Sequence, residues 1–473
     1  MARRTSGRLL GLTATASLMV ALDATVVTTA LARIRLDLSA TMEQLEWTVN
    51  AYGLSFAVLL MTGAALGDRF GRRRMFVGGL GLFTAASVAC AAAPGIGWLI
   101  AARAVQGCGS ALVMPLAMAL LSNGFPPERR ARALGVFAGV TGLAVVAGPV
   151  VGGVVTEGLA WQWIFWLNVP IGLAVIPLVL RYVPESRGGG ASFDLGGVLL
   201  VTGGALGLVW GLIRADGSGW GSFEVAGALA AGALLLAGFV AWELRVREPM
   251  VPMRLLRSRG FAAGNAAGLL LYAALYGSLF FMAQFLQTSL GAGPMTAGLQ
   301  LMPWTGTVTV VAPVAGALVN RVGSRPLTAA GLALQGIGLG WIGLTAGTAT
   351  AYPELIAPMV VAGAGVSMAM PAAQTAIINS VAPREIGKAS GVFNTLRQFA
   401  AVLGVAVAAA VFGAEGGYGT ARTFADGFGP ALVLTGALSL AGALAALFMP
   451  GPDRAARTSP VPPAPRRAPE PTR

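Results

Sequence analysis

The chain has 473 residues, of which 56% are hydrophobic and 11% are charged, and its mean hydropathy is +0.74. Because soluble domains carry about 25% charged residues, this composition excludes a soluble enzyme, a disordered protein and a disulfide-rich scaffold, and indicates a chain surrounded mainly by lipid. The net charge of +13 is compatible with nucleic-acid binding until the positions of the basic residues are considered.

Fourteen apolar runs follow one another along the chain, each with the roughly twenty residues needed to cross about 30 Å of hydrocarbon. The first run follows two arginines, but it is longer than the roughly 7 to 15 residues of a signal-peptide core, so we expect it to be retained. The sequence therefore predicts an all-α polytopic membrane protein. The predicted spans are 10–32, 48–67, 75–94, 97–121, 133–156, 163–182, 195–213, 223–242, 261–286, 296–319, 326–347, 353–379, 390–413 and 430–449.

The basic residues alternate between loops as fourteen spans with a cytoplasmic amino terminus require. Of the 32 lysines and arginines, 26 fall in segments on the cytoplasmic side. Cytoplasmic loops are enriched in these residues, so the pattern predicts that both termini are cytoplasmic. The positive charge is therefore explained by the orientation of the spans in a plasma membrane. We accordingly expect no nucleic-acid partner.

Residues that support catalysis are scarce. The chain contains no histidine, and its two cysteines, Cys90 and Cys108, both lie in apolar runs. No Ser-His or Cys-His arrangement is possible, and no group of acids within the spans suggests a metal site. We therefore expect no enzyme activity, no metal and no cofactor, and a membrane enzyme or sensor is disfavoured.

Residues 107–137 repeat as 363–393, at a constant offset of 256, and the loop DRFGRR from Asp68 returns as NRVGSR from Asn320. Parallel repeats of this kind occur in one transporter architecture. We therefore expect a six-helix bundle at 1–185, a two-helix insert with a cytoplasmic linker at 186–259, a second six-helix bundle at 260–450 and a disordered cytoplasmic tail at 451–473.

Asp23 is the only acid in the interior of a predicted span, and Arg103 and Arg397 are the only basic residues there; Arg181, Glu224 and Glu354 lie in the first or last two residues of their spans. Charges within the membrane usually mark functional sites. At 1.5 Å per residue, Asp23 and Arg103 lie about 13 and 9 Å from the outer ends of their helices. Burial favours the protonated carboxyl of Asp23 and a nearby arginine favours the carboxylate, so Asp23 could switch as a proton-coupled carrier requires. A fixed ion pair or an aspartate facing trapped water is the alternative.

The loop after the second span combines Asp68 with an arginine cluster and a turn glycine, namely Arg69, Gly71, Arg72 and Arg73. The helix dipole disfavours an anion at a carboxyl end. Asp68 therefore needs an arginine or another helix's amino terminus as partner, and that contact could hold one closed conformation. A positive-inside anchor would explain the arginines but not the aspartate.

In the fourth span, Gln106 and Ser110 follow Arg103 at i+3 and i+7, which predicts a polar face turned toward a cavity. Asn394 and Arg397 share a face of the thirteenth span. Arg397 lies about 10 Å from the cytoplasmic end and could instead reach that end by snorkelling, which would be a structural role.

In the fifth span, GPVVGG places two glycine pairs around a proline: Gly148, Pro149, Gly152 and Gly153. The Gly-x-x-x-Gly spacing allows close helix contact and the proline bends the backbone. Ordinary packing would explain the motif equally well.

The ninth span presents a face of residues at successive i+4 steps: Tyr272, Tyr276, Phe280 and Gln284. This face could stack on a planar or cationic ligand. It could also be an aromatic packing seam.

These motifs resemble the major facilitator superfamily, and within it the fourteen-helix drug:proton antiporters that export drugs and antibiotics. The loop from Leu66 to Arg74 resembles the superfamily's loop signature, GPVVGG the antiporter signature and LDATVVTTAL at 22–31 the first-helix motif. The resemblance covers 10–450 and also includes RAVQGCGSA at 103–111, WQWIFWLNVPIG at 161–172 and GVFNTLRQ at 391–398.

The resemblance implies a major facilitator fold and a monomeric exporter, in a bacterial plasma membrane, that exchanges hydrophobic drugs or antibiotics for protons by alternating access. By that resemblance, Asp23 would be the proton-responsive acid, Arg103 its counterpart, and Gly148 and Pro149 the hinge and seal. Asp68 would contact the start of the thirteenth helix in the outward-facing arrangement. Uptake or exchange of another metabolite, proton-coupled or facilitated, is the alternative.

The chain departs from the family pattern at a few positions. Ala64 stands where the family usually has glycine, with Gly63 one place earlier. The tenth span contains no acid, which by the resemblance favours neutral or singly charged substrates over dications.

Overall fold

The computed structural model describes residues 2–188, 194–246, 249–382 and 385–451; the predicted disordered tail lies outside them, apart from Gly451. Seventeen α-helices account for most of these residues, and no strand occurs among them. A short 3-10 helix, Met253–Arg257, precedes α10. The α-helices are α1 Ala2–Asp37, α2 Met42–Phe70, α3 Arg72–Ala91, α4 Ile96–Gly124, α5 Pro127–Gly158, α6 Trp163–Trp166, α7 Asn168–Tyr182, α8 Leu195–Ser218, α9 Phe223–Glu243, α10 Arg259–Thr288, α11 Pro294–Gln300, α12 Met302–Thr305, α13 Thr307–Val322, α14 Ser324–Thr345, α15 Tyr352–Asn379, α16 Ile386–Glu415 and α17 Ala421–Ala446.

The helices of the described residues include thirteen stretches long and apolar enough to cross a membrane, and fourteen when the bent α5 counts as one span. Helices α6 and α7 together form one stretch, and α11 to α13 form another. The all-α prediction and the fourteen spans are therefore confirmed. The cytoplasmic position of the termini stays a prediction.

Helix α5 bends by 42° between its segments Ala133–Ala144 and Ala147–Gly158. Pro149 lies inside the helix, lacks a backbone N–H, and its ring crowds the carbonyl four residues earlier, at position 145. The bend therefore falls where the proline acts. This confirms that GPVVGG bends the backbone.

The internal repeat is visible in how α4 and α15 pack. A Cβ on Gly107 would meet the backbone of α2 at Tyr52, and one on Gly109 would meet α3. In the second copy, Gly363 lies against α12 at Trp304, and Gly365 lies against α14. Each repeated glycine thus brings its helix close to the equivalent neighbour.

The two loop copies also share a backbone conformation. Gly71 has φ 111° and Gly323 has φ 93°, in the left-handed region that favours glycine. Each glycine separates two consecutive helices at the same place in its repeat. The sequence repeat is therefore a structural repeat.

We call α1–α7 the N-bundle and α10–α17 the C-bundle, following the predicted division of the chain, which itself stays a prediction. Helices α8 and α9 pack together, and α8 also contacts both α2 and α16. Its Ala205 and Val209 join an apolar cluster with Val58 of α2 and Val402 of α16. The insert therefore covers one of the two seams between the bundles.

Asp23 is not the only acid buried in a helix of the described residues. Glu46 of α2 is 4% exposed and Glu243 of α9 is 2% exposed. Both lie near helix ends, just beyond the apolar runs 48–67 and 223–242, so of these three buried acids only Asp23 lies within a predicted span. A hydropathy pattern ends before the helix does, because helix ends accept charged residues.

Candidate functional site

Asp23 of α1 and Arg103 of α4 form an ion pair inside the N-bundle. The Arg103 Nη1 to Asp23 Oδ2 distance is 2.5 Å, and both side chains are 1% exposed. Arg103 also donates from Nη1 to Gln106 Oε1 at 2.7 Å and from Nε to the Thr48 carbonyl of α2 at 3.2 Å. Its guanidinium lies 4.1 Å from the centre of the Tyr52 ring. The sequence predicted similar depths for Asp23 and Arg103, and in the structure the two side chains are in contact.

The second oxygen of Asp23 accepts two further hydrogen bonds. Gln106 Nε2 donates to Asp23 Oδ1 at 2.9 Å, and Asn168 Nδ2 of α7 donates at 2.8 Å. Both amides also donate to Ser87 Oγ of α3, at 2.9 and 3.3 Å. With every neighbour donating, the site is arranged for the carboxylate. A proton on either oxygen would displace one of these donors.

The predicted polar face of α4 is one continuous network. Ser110 Oγ donates to Tyr52 Oη at 2.9 Å, and Tyr52 Oη donates to the Val20 carbonyl at 3.2 Å. Gln106 and Ser110 are both fully buried, so in this conformation they face α1, α2 and α3 rather than open space. Asn168 and Ser87 were not singled out from the sequence, because neutral polar residues in a span carry no distinguishing signal.

The i+4 face of α10 is divided into two parts. Phe280 is edge-on to Phe281, and Gln284 accepts a hydrogen bond from Tyr418 within an aromatic cluster. This part is the packing seam that the sequence left open. Tyr272 and Tyr276 instead stack, with ring centres 6.4 Å apart and 29° between planes, outside that cluster.

Arg397 of α16 lies beside this tyrosine pair. Its guanidinium is 5.6 Å from the centre of the Tyr272 ring. Tyr272 is about 20 Å from the start of its own helix by residue count, so Arg397 points across the bundle and does not snorkel to the helix end. Asn394 donates to the Ser390 carbonyl of its own helix at 2.9 Å.

An apolar pocket lies on the other side of α10, between α5 and the C-bundle. Leu275 and Leu279 of α10, Gly142 of α5 and Met370 of α15 line it, together with Trp304. The indole N–H of Trp304 is buried without a hydrogen-bond partner in the part of the chain described here. The pocket surface itself is apolar, and the buried indole N–H does not reach it.

The motif GPVVGG joins the bundles. Gly148 and Gly152 lie against Thr25 and Thr29 of α1, and Gly153 lies against the Pro294 backbone of α11 in the C-bundle. From the other side, Gly298 of α11 leaves no room for a Cβ against Pro149. Close contact is thus made on two faces of α5 at once.

Three hydrogen bonds connect the bundles near the predicted outer end. Gln287 Nε2 donates to the Thr29 carbonyl at 3.1 Å, and the Met295 N–H donates to Glu157 Oε2 at 2.8 Å. Arg35 Nη2 donates to the Tyr418 carbonyl at 3.3 Å, and its guanidinium lies 4.6 Å from that tyrosine ring. Burial raises the pKa of Tyr418, which keeps the phenol protonated as a donor to Gln284. These contacts tie the two bundles together at this end, beside a cavity of about 220 Å³ that Arg35 and Tyr418 line.

The loop between α2 and α3 is held within the N-bundle. Asp68 pairs with Arg72 at 2.7 Å, and its carbonyl accepts from Gly188 N–H at 3.1 Å. Glu185 accepts from the N–H groups of Arg73 and Arg74 at 2.9 and 3.2 Å, capping α3.

The contact of Asp68 with the start of α16, implied for an outward-facing arrangement, is not among the contacts of the described residues. Glu385, beside that helix start, pairs instead with Arg254 of the linker at 2.6 Å. The remaining loop residue, Arg69, stacks on Phe70 at 5.4 Å. The sequence missed Glu185 as the partner of this loop because Glu185 lies beyond the sixth span.

Replacing Gly153 by alanine is expected to open the outer end. The added Cβ would lie 2.8 Å from the Met295 Cα and closer still to the Pro294 carbonyl, so α5 and α11 must separate. Overpacking of this kind costs about 1 to 3 kcal/mol, so the population with a separated outer end should rise about fivefold or more. The measurement is the rate at which a membrane-impermeant maleimide labels a cysteine at Thr29, which is fully buried, with both native cysteines replaced by alanine.

The matched control is Gly158→Ala in the same helix, where an added Cβ meets no atom within 4 Å. It should leave the labelling rate unchanged. Equal labelling of the Gly153→Ala and parent proteins would contradict a sealing role for this glycine contact.

Comparisons with known proteins cover most of the chain. The model of the Major Facilitator Superfamily matches residues 13–404 and 265–472. The chain is 36% identical to the tetracenomycin C resistance and export protein of Streptomyces glaucescens over 394 residues, 82% of this chain and 73% of that protein. It is 37% identical to the cephamycin export protein CmcT of Amycolatopsis lactamdurans over 446 residues, 93% of this chain and 91% of that protein.

Solved structures share the architecture. A peptide transporter in complex with sulfate superposes with a TM-score of 0.67 at 16% identity, covering 94% of this chain and 96% of that one. A bacterial homologue of the human lysosomal transporter Spinster, inward-facing and unoccupied, superposes with a TM-score of 0.66 at 16% identity, covering 94% and 96%. At such identity the likeness concerns the fold alone.

Proposed function

The chain belongs to the major facilitator superfamily, and from this premise we propose that it is a drug exporter of a bacterial plasma membrane that exchanges hydrophobic drugs or antibiotics for protons. The relatives named for tetracenomycin C and cephamycin export support drug efflux as the transport class. Proton exchange is supported by the chain's own residues, above all by the buried pair of Asp23 and Arg103. No cofactor is required, since the proton gradient supplies the free energy.

The proton acts at Asp23. In the closed network its carboxylate holds Arg103, Gln106 and Asn168 at once. Protonation removes the negative charge that stabilises the Arg103 guanidinium, and a buried charge without its partner is unstable. The Asp23–Arg103 pair therefore packs differently when Asp23 is ionised and when it is protonated, and the binding of one proton selects between the two arrangements.

Arg103 transmits this change to the seam between the bundles. It is bonded to the Thr48 carbonyl and stacked on Tyr52, both in α2. Helix α2 packs directly on α16 of the C-bundle, where Gly53 meets Val402. A shift of Arg103 would therefore move α2, the helix that packs against α16 of the C-bundle.

Alternating access follows from the two ends of the molecule. The bundles are tied together at the outer end by the GPVVGG contact and three hydrogen bonds, so in the proposed cycle a drug enters from the predicted cytoplasmic side. Reopening outward requires those contacts to separate and α5 to move about its bend. The potential contributes about 2.3 kcal/mol per charge per 100 mV, so one proton supports an about fiftyfold drug gradient at that potential.

Proteoliposomes containing the purified chain test the direction of exchange. With an acidic lumen, protons leave and an antiporter accumulates tetracenomycin C or cephamycin inside, whereas a proton symporter does so only with an acidic exterior. We expect accumulation with the acidic lumen, and none after nigericin collapses the gradient. Accumulation driven by the opposite gradient would establish uptake, and accumulation independent of any gradient would establish facilitated exchange.

A further inference from the structure

The two arginines within the membrane differ in their partners. Arg103 is neutralised by Asp23, whereas the ion pairs of the described residues include none with Arg397. The Arg397 Nε is buried without a hydrogen-bond partner among those residues. A guanidinium inside the hydrocarbon is costly unless a counter-charge or water compensates it. Arg397 is partly exposed and hydrogen-bonds to the Tyr272 side chain, so among the described residues it is a guanidinium without an ionic partner and with an unused N–H donor.

Aromatic rings lie beside both arginines. Arg397 lies over Tyr272 and Tyr272 stacks on Tyr276, whereas the ring contacts of the described residues include none between Tyr276 and Tyr52. Tyr52 lies over Arg103. Each bundle thus has its own arginine against a tyrosine ring, without an ionic partner in the C-bundle and with one in the N-bundle.

This geometry suits one class of ligand. A carboxylate or ionised phenol matches the planar donors of a guanidinium, and a planar ring attached to it would lie on Tyr276. A cation would meet Arg397 as a like charge. We propose that Arg397 binds the acidic group of a singly charged, planar aromatic anion, whose ring rests on the partly exposed Tyr276.

The charge of such a substrate changes the energetics of export. When one anion leaves as one proton enters, two charges move in the sense that an inside-negative potential favours; a neutral substrate moves only one. The membrane potential alone therefore drives export of the anion more strongly than export of its neutral ester. This inference rests on the proposed efflux function and specifies its substrate class.

Equilibrium binding to the purified protein tests the proposal, with anthraquinone-2-carboxylate and its methyl ester as probes and tryptophan fluorescence as the signal. The wild type should bind the carboxylate more tightly than the ester. Arg397→Gln should weaken carboxylate binding about 10- to 100-fold, the usual effect of losing a charge-assisted hydrogen bond, and change ester binding by less than about twofold. Arg397→Lys should retain part of the preference.

Arg422→Gln, at an exposed arginine of α17, is the matched control and should bind both probes as the wild type does. Equal losses for acid and ester in Arg397→Gln, or no preference for the acid in the wild type, would overturn the proposal. Binding needs no gradient, so the two hypotheses fail separately. Lost proton-driven transport with intact carboxylate preference contradicts only the efflux mechanism, and the reverse result contradicts only the role of Arg397.

Discussion

Asp23→Asn should abolish proton-driven drug accumulation, lowering its initial rate by about two orders of magnitude or more. A positioned proton-transferring side chain commonly contributes at least about a hundredfold to a rate, and asparagine has no proton to exchange. The single amide oxygen can accept either from Arg103 or from Gln106 and Asn168, and the amide NH2 displaces the donor on the other side, so only part of the network is kept. The measurement is uptake of tetracenomycin C into acidic-lumen proteoliposomes, accompanied by growth inhibition of cells that express each variant.

The control makes the same Asp-to-Asn substitution at an exposed position outside the Asp23 network. Asp426 is an exposed aspartate near the start of α17, and Asp426→Asn should transport as the wild type does. Drug binding without a gradient should survive in Asp23→Asn, which separates lost coupling from misfolding. A variant that accumulates drug normally would remove Asp23 from the mechanism.

Arg103→Leu should be the most destabilising single change in the N-bundle. It leaves Asp23 buried without its counter-charge and deprives Gln106 Oε1 and the Thr48 carbonyl of a donor. Breaking a buried ion pair by removing one partner costs about 3 to 5 kcal/mol. The melting temperature of the purified protein in detergent should therefore fall well below that of Arg422→Leu, the same change at an exposed site.

A double variant identifies the cause of that loss. With Asp23→Asn in the background, Arg103→Leu no longer strands a charge, so its additional cost should be clearly smaller than in the wild type. Fully additive losses would mean that packing around Arg103, and not its charge, accounts for the instability.

Features that follow from solvation could be predicted from the sequence. Apolar length defined the fourteen spans, and Pro149 located the bend of α5. Asp23 and Arg103 stood out because a charge in hydrocarbon is expensive, and counting residues placed them at one depth. The repeated positions of Gly107 and Gly363 revealed the internal repeat, and in the structure both glycines lie at close helix contacts.

Features that depend on which helices are neighbours could not be predicted. Asn168 and Ser87 complete the Asp23 network from α7 and α3, but a neutral polar residue in a span costs too little to stand out. Glu46 was missed because apolar runs end before helices do. The contact implied for Asp68 depends on how the two bundles are oriented relative to each other, and no local sequence pattern encodes that orientation.

The insert makes the two flanks of the transporter unequal for a molecule dissolved in the bilayer. On one flank α8 blocks the groove between α2 and α16. On the opposite flank, α5 meets α11, α12 and α13 with no helix of the insert in front of them, beside the apolar pocket at Leu275 and Trp304. A molecule dissolved in the bilayer therefore meets a helix of the insert on one flank and the bundle helices themselves on the other, so the two flanks of the chain are not equivalent.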